Sequence, residues 1–143
     1  MSVIRRRGAE CLFALLLAAM CAVPAVAQLS CRTGQQPSAV AELMFGRKIG
    51  DRVGVSETAW RRFLDREITP RFPDGLTVMD ASGQWRDKTT RRVVREPSKI
   101  VSIVLKEPQA DQKHIDAITE AYKKRFLQQA VGVVVRPACI SFQ

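Results

Sequence analysis

The side chains best suited to chemistry in this 143-residue chain are a scattered set of cations and one tryptophan. Arg47, Arg71, Arg95 and Lys99 fall in four different segments. If the fold gathers some of them, their guanidinium and ammonium donors would make a site for a carboxylate or phosphate. Arg71 is the foremost single candidate, because Thr69-Pro70-Arg71-Phe72 places it between a helix end and a turn. The competing reading is a set of solvated or helix-end cations. Trp85 follows Gly83 and is flanked by Gln84 and Arg86, so it could stack on a flat ligand or simply cover one face of a sheet. These five residues are the candidate ligand-binding set.

No catalytic residue can be assigned. Glu96 and Asp80 are the carboxylates that could serve as a general base, although Asp80 equally suits a turn and Glu96 an ion pair with a neighbouring Arg. Tyr122 fits a core position with its hydroxyl at the rim. His114 is the only histidine and suits a half-exposed helix position, so the residues point to no metal and no other cofactor. Ser56 and Ser98 have no evident His partner for a Ser-His-Asp triad. The eight glycines are scattered and form no phosphate loop. Lys88-Thr89-Thr90-Arg91-Arg92 is a basic run that could touch an anionic envelope polymer or lipid head groups, or stand as a solvated hairpin tip.

The elements that must carry these residues follow from periodicity and from turn signals. Residues 28–38 are polar, with Gly and Pro, and read as an extended arm. Residues 40–49 read as a first strand centred on Leu43, Met44 and Phe45. Ser56 is a good N-cap with Glu57 at the helix start, and Trp60, Phe63, Leu64 and Ile68 form one apolar helical stripe. Pro70 limits that helix near Ile68. Residues 76–86 read as a second strand, with a bulge or bend expected at residues 80–83. Residues 91–105 read as a third strand, with Pro97 at a bulge or edge and a buried apolar centre at residues 100–105. Pro108 marks a turn. Ile115, Ile118, Tyr122 and Phe126 define a second amphipathic helix over about residues 110–127. Residues 131–135 are a fourth strand, stopped by Pro137. The order β-α-β-β-α-β is satisfied by an α+β fold of the ferredoxin-like split type, one antiparallel four-stranded sheet with two helices on one face. Its other face would pack on a second copy or line a pocket.

The chain is basic, with 23 Lys and Arg against 14 Asp and Glu, and has room for one domain. Arg5, Arg6 and Arg7 precede an uncharged apolar run over residues 11–23, then Pro24 and Ala25-Val26-Ala27. This is the pattern of a secretory signal peptide, residues 1–27, with too short an apolar run to span a membrane at about 20 residues. The arginines lack a twin-arginine pattern, so general secretion is expected. A lipoprotein anchored at Cys31 is the minor alternative. Beyond the leader only Cys31 and Cys139 remain, and outside the cytoplasm two lone cysteines usually pair, here as a structural disulfide, with two buried thiols as the alternative. The single domain then covers residues 39–143. Export and a third strand without aromatics (REPSKIVSIVLKE) argue against nucleic acid, although RNA-recognition domains share this element order.

The segments ELMFGR (42–47), VSETAWRRFLDREITPRFPDGLTVMDASGQWRD (55–87), REPSK (95–99), AYKKRF (121–126) and RPACISF (136–142) resemble a bacterial secreted family, domain of unknown function 3574. The resemblance implies a compact α+β domain and an envelope location, and brings no activity with it. Two functions stay open. One is a binding or interaction module of the bacterial periplasm, for a small anionic molecule or an anionic envelope component, with no membrane span in the mature protein. The other is a small cofactor-independent enzyme of the dimeric ferredoxin-like type. A homodimer with a closed apolar cavity would favour the second, and a monomer with a filled core and a flat basic face the first.

Overall fold

The computed structural model describes residues 30–50 and 52–142, and the signal peptide expected over residues 1–27 lies outside them. The described elements are β1 (Gln36–Gly46), β2 (Lys48–Ile49), β3 (Arg52–Val53), α1 (Glu57–Phe63), β4 (Thr77–Arg86), β5 (Val93–Leu105), α2 (Pro108–Phe126) and β6 (Gly132–Ile140). One antiparallel four-stranded sheet runs β4-β5-β1-β6, and β2 pairs with β3 as a short separate hairpin. With two helices over one sheet face, this is the α+β, ferredoxin-like arrangement expected from the sequence.

Strand alternation decides what is buried. Ala39, Ala41, Leu43 and Phe45 of β1 point to the helices, together with Val101, Ile103 and Leu105 of β5. The helices answer with Trp60 and Phe63 from α1 and with Ile115, Ile118, Tyr122 and Phe126 from α2. Aromatic rings fill the centre: Tyr122 lies 4.7 Å from Phe45, 5.0 Å from Phe63 and 4.8 Å from Phe126, centroid to centroid. Ser56 caps α1, accepting a hydrogen bond from Ala59 N at 3.1 Å. After Phe63 the helix widens into one π-helical turn, Leu64–Ile68, closed by Thr69 N donating to Leu64 O at 2.9 Å. Pro70, with no N–H to continue the ladder, follows directly. The expected disulfide is present, Cys31 to Cys139, with Cα atoms 5.5 Å apart.

Several local expectations are corrected. No bulge interrupts residues 80–83, because β4 pairs with β5 without a break from Thr77 opposite Ser102 to Arg86 opposite Val93. Ala81 and Gly83 lie in regular register opposite Ser98 and Glu96, and a Cβ at Gly83 would meet Ser98 Oγ at an ordinary 3.6 Å. β1 starts at Gln36 rather than residue 40, since Gln36, Pro37 and Ser38 pair with Ile140, Cys139 and Ala138. It ends at Gly46, where the Arg47 carbonyl accepts from both Gly54 N and Val55 N and pinches out the β2–β3 hairpin. Pro97 sits just past the end of β1. Its carbonyl accepts from Arg47 N at 3.1 Å, and its missing N–H is not needed on that side because the Arg47 carbonyl accepts from Gly54 N and Val55 N instead. Pro108 opens α2 instead of preceding it, as suits a first-turn position. Pro137 does not stop β6, which is an edge strand and tolerates it.

Candidate functional site

The five candidate residues separate into three places. Arg47 and Lys99 are joined through one acid. Glu57, the first residue of α1, receives Lys99 Nζ at 2.8 Å and Arg47 Nη1 at 3.0 Å. Lys99 also meets Asp80, its cross-strand neighbour, at 2.6 Å. Arg47 further donates from Nε to Val55 O at 2.9 Å. The Lys99 side chain is only 5% exposed, while Glu57 and Asp80 reach solvent. The hydrogen bond from Lys99 lowers the pKa of both carboxyls. Burial pulls Lys99 down, but the bonds to Asp80 and Glu57 outweigh it and leave its pKa raised. Asp80 is therefore shifted opposite to what a base poised near neutrality needs. It is also a strand residue rather than a turn former.

Arg71 stands apart. It donates to Glu67 O at 2.6 Å and to Glu67 Oε2 at 3.1 Å, beside a shallow depression of about 240 Å³. His114 borders the same depression, edge-on to Phe72 with ring centroids 5.9 Å apart. Among the described residues no three His, Cys, Asp or Glu side chains converge as metal ligands do.

Trp85 and Arg95 share the third place, a broad groove of about 1050 Å³. It is formed because the β4–β5 hairpin is longer than the sheet. The last pair between β1 and β5 is Gly46 with Ser98, and beyond it β4 and β5 continue as a two-stranded ribbon to Arg86 and Val93. The chain between α2 and β6 makes the facing wall, and Met44, Ser98 and Ile100 of the open sheet face contribute to the lining. Asp87 braces the ribbon's turn, its Oδ1 accepting from Thr89 N at 2.9 Å, Thr90 N at 2.6 Å and Thr90 Oγ1 at 3.0 Å. Those bonds, Thr90 N foremost, hold its carboxyl below the usual range.

One carboxylate organises the groove. Glu96 accepts from Trp85 Nε1 at 2.9 Å through Oε1 and from Lys48 N at 3.0 Å through Oε2. Among the described residues it forms no ion pair with an arginine, contrary to the sequence expectation. Gly46 makes room for it: a Cβ there would lie 2.7 Å from both carboxylate oxygens. Tyr122 supports the same corner from below, buried, donating its hydroxyl to Gly46 O at 2.8 Å. Burial raises the Tyr122 pKa, so the hydroxyl stays a donor. Gln128 Nε2 closes the facing wall by donating to Lys48 O at 2.6 Å. Leu127 beside it is 79% exposed in the left-handed conformation, φ +53°.

Trp85 is 38% exposed in this setting. Lys48, Arg86, Lys88, Arg92 and Arg95 border the groove, and among the described residues none of them forms an ion pair. The groove's two acids, Asp87 and Glu96, are both engaged internally. Lys48, Gly46, Leu127 and Gln128 were not singled out from sequence. Their roles depend on contacts across as many as 80 residues, for which no local pattern exists. The basic run at residues 88–92 was a readable signal for this region.

The fold resembles solved structures only distantly. A phage SAM lyase in complex with S-methyl-5′-thioadenosine has TM-score 0.57 and 15% identity, covering 80% of this chain and 95% of that one. The phage SAM lyase in its apo state has TM-score 0.54 and 17% identity, covering 81% and 98%. CutA1 from Oryza sativa has TM-score 0.47 and 16% identity, covering 74% and 84%. At such identities the likeness is one of fold alone. No curated protein matches the sequence. The family described as "Protein of unknown function (DUF3574)" matches over residues 40–142, which takes in both helices and nearly the whole sheet, and the chain belongs to that family.

Proposed function

We propose that this protein is an exported binding module of the bacterial periplasm that holds a small, flat anionic molecule in the groove beside Trp85. The observation that carries the reading is the exposed indole pinned by Glu96 at the edge of a groove bordered by five cations that, among the described residues, have no carboxylate partner. An indole fixed by its N–H keeps its π face available at little cost in lost side-chain freedom, and stacking on such a face contributes about 1–3 kcal/mol. The cations around it supply long-range attraction and charge-assisted hydrogen bonds. Trp85 is the ligand-contacting member of the candidate set, and Arg95, cross-strand from Gln84 on the other face of the ribbon, borders the groove and adds to its positive field. Arg47 and Lys99 serve as the neutralised brace between α1 and the sheet, and Arg71 as a helix-end ion pair. Export through a leader over residues 1–27 accords with the Cys31–Cys139 disulfide. Among the described residues no helix is long and apolar enough to cross a membrane.

The test is calorimetric titration with naphthalene-2-sulfonate, a flat aromatic anion, at low and moderate salt. The reading predicts saturable binding that weakens as salt rises. Trp85→Ala should weaken it roughly tenfold, as about 1.4 kcal/mol of lost stacking requires. Equal affinity in the wild type and Trp85→Ala would overturn the assignment.

A further inference from the structure

Among the described residues no element covers the sheet face opposite the helices, whose row at Met44, Ile100 and Gly132 also borders the groove beside Trp85. Strand registers place Met79, Ile100, Met44 and Gly132 in one row across all four strands. The next row is Thr77, Ser102, Glu42 and Val134, and beyond it Val104, Val40 and Arg136 lie side by side. Met44 is 37% exposed, Met79 42% and Val134 41%. This is a flat surface, largely apolar, with one ion pair set into it: Arg136 Nη1 and Nη2 reach Glu42 Oε2 and Oε1 at 2.9 and 2.7 Å. Each carboxyl and guanidinium shifts the other's pKa toward the charged form, chiefly through the hydrogen bond between them.

We propose that this face docks a further copy of the same chain, with Glu42 of each copy against Arg136 of the other. Charge complementarity selects the occupant. The face carries one anion and one cation next to each other, so two such faces can meet with opposite charges opposed and the methionine rows in contact. A polyanionic or polycationic partner would meet a like charge at the centre. The size is compatible with a reversible assembly. Four strands about 4.8 Å apart and about nine residues long at 3.3 Å each present roughly 550 Å² per copy. A pair would bury about 1,100 Å², near the lower end of specific interfaces.

The test uses charge reversal on opposite members of the pair. Glu42→Arg makes the centre of the face wholly positive and Arg136→Glu makes it wholly negative. The wild type is followed by sedimentation over a concentration series, each variant likewise, and then an equimolar mixture of the two variants by native mass spectrometry. The proposal predicts association of the wild type, monomers for each variant alone, and renewed association on mixing, with one copy of each variant per complex. Circular dichroism identical to wild type would show that the variants are folded, and Met44→Lys provides an independent variant that should also be monomeric. A wild type that stays monomeric throughout would overturn the proposal. Variants that associate as the wild type does, or a mixture that fails to re-associate, would overturn it as well.

Discussion

Replacing Gly46 by Ala should loosen Trp85 although the two residues do not touch. The added Cβ would lie 2.7 Å from both Glu96 oxygens and 2.9 Å from Cδ, well inside van der Waals contact. The backbone at Gly46 is held by the Tyr122 hydroxyl and by pairing with Ser98 in the sheet, so the carboxylate is the group that yields. Displacing it weakens two hydrogen bonds at once, from Trp85 Nε1 and from Lys48 N. A hydrogen bond to a charged acceptor contributes about 1.5–3 kcal/mol when buried and less beside solvent, as here. Two weakened bonds, offset by about 0.4–1 kcal/mol gained when Ala replaces Gly in the unfolded chain, leave a loss of roughly 1–2 kcal/mol. Urea unfolding reads the stability. Acrylamide quenching reads the indole, because the other tryptophan, Trp60, is 1% exposed and Trp85 dominates the quenchable signal. Gly83→Ala is the control, since its Cβ would meet Ser98 Oγ at an ordinary 3.6 Å. If Gly46→Ala matches wild type in both stability and quenching, Glu96 does not hold Trp85 in the way described.

Leu127→Gly should stabilise the protein by about 1 kcal/mol, since Leu pays a steric penalty at φ +53° that Gly does not, and thermal unfolding would show it. If Leu127 also walls the groove, the same variant binds naphthalene-2-sulfonate less tightly than wild type. Replacing Cys31 and Cys139 by Ser opens a loop of 108 residues' separation, for which the chain-entropy model gives roughly 4–5 kcal/mol as an upper value. Denaturant unfolding of the double variant should show a large fall in midpoint, and an unchanged midpoint would make the bond dispensable. Glu57 and Asp80 have pKa values lowered by Lys99, so their contribution is complete above the ordinary carboxylate range and fades as pH falls through the lowered values. Lys99→Met should therefore flatten the acid limb of the stability–pH curve, and an acid limb as steep as wild type would contradict the pairing.

The element order was readable because hydrophobic periodicity is local. Trp60, Phe63 and Ile68 mark one helix face, and Ile115, Ile118, Tyr122 and Phe126 another, and all seven are buried. Boundaries went astray at prolines and glycines, whose local meaning depends on position in the sheet. Pro137 is harmless because β6 is an edge, and Gly83 sits in unbroken register opposite Glu96 rather than at a bend. The disulfide could be anticipated because only two cysteines, Cys31 and Cys139, follow the segment that reads as a leader. The site was only partly legible. Lys99 and Arg47 stood out as cations, but their neutralisation by Glu57 spans 42 residues for Lys99 and follows from the packing of α1 on the sheet. Glu96 looked like a partner for an arginine, and only the register of β4 against β5, with the turn at Gly46, delivers it to Trp85 and Lys48 instead.

The groove itself is tested most directly by the indole N–H resonances of ¹⁵N-labelled protein titrated with naphthalene-2-sulfonate. Two tryptophans give two signals, one from the buried Trp60 and one from Trp85 at the groove. A ligand stacked beside the Glu96-bound indole should move the Trp85 signal saturably and leave Trp60 in place. A Trp85 signal that stays fixed while the anion binds would put the ligand elsewhere and contradict the account.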